Sequence, residues 1–390
     1  MSRPVGASAR VLVVIGTRPE GIKLAPVVEA LRSDAPDIET RVALTGQHSD
    51  LVDQVLEVFR MHVDWDLGIM REGQDLYDVA HGCLDGLRSV VTEFRPDMIL
   101  VQGDTATVFF GGLVGYFERT RVGHVEAGLR SGDKWRPYPE EIFRRLTGVL
   151  ADVHFAPTPR AAHNLRAEGI PDRAIHVTGN TVVDALQTMG NAAHTFRDEG
   201  LRRADRDGTR LVLVTAHRRE SFGSPLREAF TALRDVADRF DDVLLVYPVH
   251  PNPNVREPAE SILGHHDRIV LTRPLDYLDL VHALKRASLV ITDSGGIQEE
   301  APSFGAPVLV LREVTERPEG IEAGVAQLVG TDRRRIVNAA TAVLSGDNAS
   351  RRGRAVNPYG DGRAGKRIAD VVAHMLTGRE RRTTDWSGVV

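Results

Sequence analysis

The sequence predicts an α/β protein built from two doubly wound domains facing a cleft, and three observations carry that expectation. The chain has 390 residues, above the size at which one hydrophobic core stops growing. Short apolar runs recur along it, each followed by a glycine or polar turn and then by helical periodicity, the rhythm of a parallel sheet with helices packed on it. That rhythm breaks at the Arg- and Asp-rich stretch from Asn191 to Thr209 and then starts again.

Composition narrows the class. Hydrophobic residues at 42% and charged residues at 26% are those of an ordinary globular protein. A formal net charge of -5 offers no general attraction to nucleic acid or an anionic membrane, so neither is an expected partner. Cys83 is the single cysteine; it rules out an intrachain disulfide and a cysteine-built metal site, and it fits a reducing cytoplasm. Its neighbours Val79, Leu84 and Leu87 fall at helical spacing, which reads as a buried structural thiol. The apolar run Val11 to Ile15 is too short for a membrane span.

Taken in order, Val11 to Ile15 reads as a buried strand, and Gly16-Thr17-Arg18-Pro19-Glu20-Gly21-Ile22-Lys23 leads into a helix through Leu31. Proline suits a first helical turn, which places Arg18 and Lys23 at the edge of the sheet where open α/β folds bind ligands. The dinucleotide pattern G-x-G-x-x-G is missing. Thr40 to Leu44 is a strand, Asp50 to Phe59 and Leu76 to Phe94 are helices, and Met98 to Val101 is a strand ending at Gln102-Gly103-Asp104-Thr105. Arg121 to Val125 ends at Glu126, and strands at His154 and Ile175 close the first half. The second half repeats the pattern with strands at Leu211, Val243, Ile269, Leu289 and Pro307. A helix from Ala364 to Leu376 is expected to pack back across the interface, and the chain from Arg379 on reads as disordered.

Chemistry concentrates just past the strand ends. Asp293-Ser294-Gly295-Gly296 follows the run Leu289 to Thr292 and opens a helix. Unpaired amides, a positive dipole end and two glycines suit a phosphate, with Glu300 placed for ribose hydroxyls; a plain chain reversal uses the same residues. Asp104, Glu126 and Glu140 are carboxylates at loops of the first half, where acids in one site push their pKa values apart and divide proton donor from acceptor; such acids also cap helices and hold loops. His217, Arg218, Arg219 and His250 lie at strand ends of the second half. An imidazolium beside a leaving diphosphate is the better use of His217, whereas His250 suits a bond to loop backbone. No two histidines share a helical face with an acid, so no metal site is expected. These residues describe a nucleoside-diphosphate ligand and leave glycosyl transfer, epimerisation and non-catalytic binding open.

The runs Gly16-Thr17-Arg18-Pro19-Glu20, Thr45-Gly46-Gln47-His48, Gly103-Asp104-Thr105, His124 to Arg130, Pro139-Glu140-Glu141, Thr215 to Glu220, Tyr247 to His250, Asp293 to Pro302 and Asn357 to Gly362 together resemble the non-hydrolysing UDP-N-acetylglucosamine 2-epimerases. The resemblance implies two Rossmann-like domains of the GT-B type, expected here at residues 10–182 and 183–363; the C-terminal helix is expected at 364–378 and the disordered tail, read from the residues themselves, at 379–390. It implies a UDP-sugar substrate, a homodimer and no cofactor. It further implies Asp104, Glu126 and Glu140 as the acid/base set, Arg18 and His217 against the departing UDP with Lys23 in support, and Ser294, Gly295, Gly296 and Glu300 around the nucleotide. Gln47, Arg218 and His250 would remain from a regulatory site. Phe143, where the family usually has Asn, Leu280, where it has Phe, and Asp50 and Gly73, in place of Gln and Arg, depart from its pattern.

Overall fold

The computed structural model describes residues 8–46, 56–71, 73–206, 208–346 and 357–388. They divide into two compact units, the first running to Ala185 and resuming at Tyr359–Gly388, the second spanning Leu186–Pro358.

The first unit holds β1 (Ala9–Ile15), β2 (Ile38–Leu44), β3 (Trp65–Asp66), β4 (Met98–Gln102), β5 (Arg121–Val125), β6 (Val153–Ala156) and β7 (Ile175–Val177) in the order β3-β2-β1-β4-β5-β6-β7. The second holds β8 (Arg210–Thr215), β9 (Val243–Pro248), β10 (Ile269–Thr272), β11 (Leu289–Thr292), β12 (Val308–Val310) and β13 (Ala326–Leu328) in the order β10-β9-β8-β11-β12-β13. All these pairs are parallel, with Val11 opposite Thr40 on one side and Met98 on the other. A parallel sheet covered by helices on both faces needs strands that are apolar throughout; Val11 to Ile15 are accordingly buried without a break.

The helices that bear on the site are α1 (Arg18–Asp34), α2 (Leu76–Phe94), α3 (Ala106–Phe117), α4 (Glu140–Leu150), α5 (Gly295–Glu300) and α6 (Ala364–Thr377). A capping box starts α2, in which the Asp75 side chain accepts from the Asp78 amide at 2.9 Å and the Asp78 side chain accepts from the Asp75 amide at 3.2 Å. Its buried stripe runs Val79, Cys83, Leu87, Val90.

Three expectations are revised. The polar stretch after Asn191 contains a short helix, Glu199–Ala204, that buries Leu201 and Ala204. The chain returns to the first unit at Tyr359 rather than after residue 363, because the Asn180 amide donates to Tyr359 O at 2.7 Å and Asp184 accepts the Gly365 amide at 2.9 Å. Helix α6 therefore belongs to the first unit, where Ile368, Ala369, Val371 and Val372 join the core beneath α1. The polar tail, read as disordered, is hydrogen-bonded through residue 388: the Trp386 amide donates to Val177 O at 2.7 Å on the β7 edge, and Asp370 accepts the Arg382 and Thr383 amides at 2.8 Å each. Hydrogen bonds of its backbone hold it in place. The N-terminal part of the helix expected at Asp50 to Phe59 lies outside the described residues, as do Gln47, His48 and Asp50.

Candidate functional site

In the first unit strand order reverses between β1 and β4, and open α/β sheets bind ligands at the carboxyl ends of strands at such a switch point. Arg18 is the first residue of α1 after β1, Asp104 stands two residues past β4, and Glu126 follows β5 directly. Gly16 is required by close approach, since a Cβ there would lie 2.3 Å from Thr107 Oγ1; Gly103, with φ of 85°, turns the chain toward Asp104.

Each acid is held differently. Lys23 Nζ donates to both oxygens of Glu126 at 2.7 Å, and Gln102 Nε2 donates to Oε2 as well. Glu126 itself is buried with φ of 62°, a left-handed conformation that costs a non-glycine residue about 1–3 kcal/mol and is retained where the surroundings over-determine it. Arg144 on α4 donates to Asp104 Oδ2 and, at 3.2 Å, to Glu141. Glu141, fully buried, accepts the Ser131 amide at 3.0 Å and so fixes the loop before α4. Glu140 opens α4, and its Oε2 is buried with no hydrogen-bond partner among the described residues, leaving an acceptor site for a ligand group.

Two further buried groups shape this edge. Burial lowers the His124 pKa to about 3, so the ring is neutral, and its Nε2 hydrogen-bonds Gly103 O at 2.7 Å. Glu20 is also buried; desolvation is the largest cause pushing its carboxyl up to about 7, and Asp104 adds to it, against three hydrogen bonds from Gly16, Thr17 and Thr105.

In the second unit the reversal lies between β8 and β11, again where the singled-out residues sit. Asp293, 1% exposed, accepts the amides of His217 at 2.7 Å and Arg218 at 2.8 Å, joining the two strand ends. The Tyr247 hydroxyl donates to Ala216 O at 2.6 Å and ties the same loop down from β9. The rings of His217 and His250 stack with centroids 5.6 Å apart, and His250 Nδ1 accepts the Asn252 amide at 3.1 Å, the backbone bond expected of it. Ser294 is the N-cap residue of α5, with Gly295 and Gly296 in its first turn and Glu300 at its last position. The Glu316 carboxylate already lies at this turn: Oε1 is 3.3 Å from where a Gly295 Cβ would be and 3.6 Å from Arg218 Nη2, and Oε2 accepts from Arg312 at 2.5 Å. The turn thus accommodates an anionic group beside Arg218.

Among the departures from the family pattern, Phe143 stacks on Phe109 with centroids 5.3 Å apart and rings 7° from parallel, and meets Phe110 at 6.2 Å; its ring is engaged in packing α4 on α3. Leu280 packs on the core of the second unit. Sequence reasoning missed Glu20, Gln102, His124, Arg144 and Asp293. Glu20 had a local signal in the spacing Thr17-x-x-Glu20, which reads as a capping box, and Asp293 stood at the head of the glycine turn without a role of its own. Among the described residues no three His, Cys, Asp or Glu side chains are placed to hold a metal ion, and no helix is long and apolar enough to cross a membrane.

A family model described as UDP-N-acetylglucosamine 2-epimerase matches residues 29–373. The chain is 48% identical over 377 residues to a UDP-N-acetylglucosamine 2-epimerase of Escherichia coli (strain K12), spanning 93% of this chain and 98% of that one. It is similar to the solved structure of the UDP-GlcNAc 2-epimerase from Neisseria meningitidis, with 38% identity and a TM-score of 0.82 over 95% of this chain and 100% of that one. The glycotransferase of kitacinnamycin, at 14% identity and a TM-score of 0.62 over 96% of this chain and 100% of that one, shares the fold alone.

Proposed function

Because this chain belongs to the UDP-N-acetylglucosamine 2-epimerase family, we propose that it interconverts UDP-N-acetylglucosamine and UDP-N-acetylmannosamine without net hydrolysis. The observation that carries the reading is that Asp104 in the first unit and the glycine turn in the second each follow a strand at the switch point of their own sheet, with Glu126 at the end of the next strand in the first. The Neisseria meningitidis relative was solved bound to UDP-GlcNAc, which supports a UDP-sugar as substrate.

In this mechanism a carboxylate removes the C2 proton, the C1–oxygen bond breaks, and UDP leaves with the bonding pair to give a 2-acetamidoglucal. Protonation of C2 on the opposite face and return of UDP to C1 complete the epimerisation, so one proton and one UDP are moved and no cofactor is called on. Asp104, Glu126 and Glu140 form the acid/base set. Lys23, paired with Glu126, sets that acid's orientation. Arg18 and His217 offset charge on the departing UDP, Ser294, Gly295 and Gly296 receive the diphosphate, and Glu300 the ribose.

The reading includes a homodimer in the cytoplasm. The outer face of α3 and α4 exposes Tyr116, Phe117, Leu146 and Val149 at 64%, 62%, 42% and 79%, an apolar surface suited to self-association. Val149→Asp should convert a dimer to monomer in analytical ultracentrifugation; a wild-type monomer removes this part of the reading.

Incubation with UDP-N-acetylglucosamine alone in heavy water tests the activity. Deuterium at C2 with appearance of the manno isomer is the expected result. UDP binding with no exchange would favour a UDP-sugar-binding protein, turnover only with an added acceptor would favour a glycosyltransferase, and exchange only on a related UDP-2-acetamido sugar would move the specificity.

A further inference from the structure

We propose that Glu20 is a positioning residue for this reaction, a strut that holds the β1 and β4 strand ends, and with them Arg18 and Asp104, in fixed register across the switch point. The inference rests on the functional reading above and deepens it.

Glu20 lies in the first turn of α1, where a local reading makes it a helix cap. Its contacts exceed that role. Oε2 accepts the Gly16 amide at 2.6 Å and Oε1 accepts the Thr17 hydroxyl at 2.9 Å, both from the β1 loop; Oε1 also accepts the Thr105 hydroxyl at 2.9 Å, from the β4 loop 85 residues away. Thr105 is the neighbour of Asp104, and Thr17 is the neighbour of Arg18. One carboxyl group therefore bonds the backbone and side chains next to both functional residues.

The surroundings leave the strut little freedom. Glu20 is 2% exposed, so water does not replace its bonds. On the far side of the β1 loop, Gly16 is pressed against Thr107, whose hydroxyl hydrogen-bonds Thr45 at 2.7 Å. The loop is thus seated between Thr107 and Glu20. Asp104 is fixed twice, through its neighbour Thr105 by Glu20 and through its own carboxylate by Arg144. A displacement of about 1 Å at a proton-transfer group is enough to cost about a hundredfold in rate.

The chemistry of the three donors separates a strut from a charge. In Glu20→Gln the amide oxygen can accept the Gly16 amide while the amide nitrogen donates to the two threonine hydroxyls, which reverse to accept. The frame survives that change and is lost in Glu20→Ala.

The test uses the full-length protein and the rate of deuterium incorporation at C2 of UDP-N-acetylglucosamine, with UDP affinity measured by calorimetry. Wild-type exchange comes first; its absence overturns the functional reading itself. With an active wild type, Glu20→Ala is expected to lower kcat about a hundredfold with KM and UDP affinity within about threefold, Glu20→Gln to stay within about tenfold of wild type, and Thr105→Val to lower kcat about tenfold. In an Asp104→Asn background Glu20→Ala should cost clearly less than it does alone, about tenfold, because of the two groups the strut positions only Arg18 still acts. Near wild-type turnover in Glu20→Ala, a Gln variant no better than Ala, or equal losses with and without Asp104 each overturn the proposal. Should Glu20→Ala fail to fold, Glu20→Gln and Thr105→Val decide: full activity in the threonine variant overturns the strut, and an unfolded or inactive Glu20→Gln overturns the exchange of hydroxyl roles on which it rests.

Discussion

Each unit places a buried acid across the point where its strand order reverses, and the two acids are bonded in different ways. Glu20 reaches from the β1 side to the β4 loop through two hydroxyls and one amide; Asp293 reaches from the β11 side to the β8 loop through the amides of His217 and Arg218. A hydroxyl can turn from donor to acceptor, whereas a backbone N–H only donates. The first unit's strut therefore keeps its frame when its proton count changes, and the second unit's strut holds both its amides through a single oxygen, Oδ2. The difference suits the proposed division of labour, with proton traffic on one unit and a fixed anion site on the other.

The largest expected effect lies with the groups the first strut holds. Asp104→Asn, Glu126→Gln and Glu140→Gln should each reduce turnover by about a hundredfold or more, the scale of a positioned proton-transfer group, while UDP affinity in calorimetry persists. Near wild-type turnover in any one of them returns that acid to a loop-holding role.

Next comes the pH dependence of stability. The Glu20 carboxyl is raised from 4.5 to about 7 by desolvation, so between these values the folded state holds a proton that the unfolded state has lost. Its contribution is fully present below pH 4.5 and is lost as pH rises through 7, by up to about 3 kcal/mol. Glu20→Gln should accordingly gain stability relative to wild type between pH 4.5 and 8. Tryptophan fluorescence during urea unfolding reads this directly, because Trp65, Trp135 and Trp386 all belong to the first unit. A difference that does not change with pH would show that Glu20 does not titrate across this window.

For the second strut, Asp293→Ala leaves two backbone amides without their acceptor and should weaken UDP binding about tenfold, with kcat at saturation less affected. Unchanged UDP affinity would break the comparison, since the loop would then hold its place without the acid.

The smallest effect concerns regulation. Gly73 lines a hollow of about 580 Å³ with Leu67, Ile69, Arg71, Gln74 and Asp78, and it lacks the guanidinium of the family pattern. A second UDP-sugar held there would lose a charge-assisted contact. Hyperbolic kinetics are expected, together with conversion of UDP-N-acetylmannosamine that needs no gluco isomer. A sigmoidal curve in initial rates would show that other residues, Arg71 first among them, have taken over that site.

Much of this was legible in the chain because its signals are local. Strands buried on both faces appear as unbroken apolar runs, as at Val11 to Ile15, and Leu76 to Phe94 reads as a helix at its observed bounds. Glycines mark turns, so Asp104, Glu126 and the Ser294-Gly295-Gly296 turn could be placed at strand ends from sequence alone. Edge strands of two or three residues, β3 and β13, carry too little pattern to be seen. The order of the tail was hidden for another reason: it hangs on Val177 and Asp370, and a polar segment does not announce where its backbone partners lie.

What only the tertiary structure decided is how the charges are shared. Arg144 meets Asp104 across 40 positions, Lys23 meets Glu126 across 103, and Thr105 meets Glu20 across 85. The sequence by itself determined that acids, cations and a glycine turn would stand at strand ends, since strand and turn propensities act within a few residues. Which acid each cation holds, and that Glu20 serves two loops rather than capping one helix, depends on strands 1, 4 and 5 lying side by side, an order set by the packing of the whole sheet.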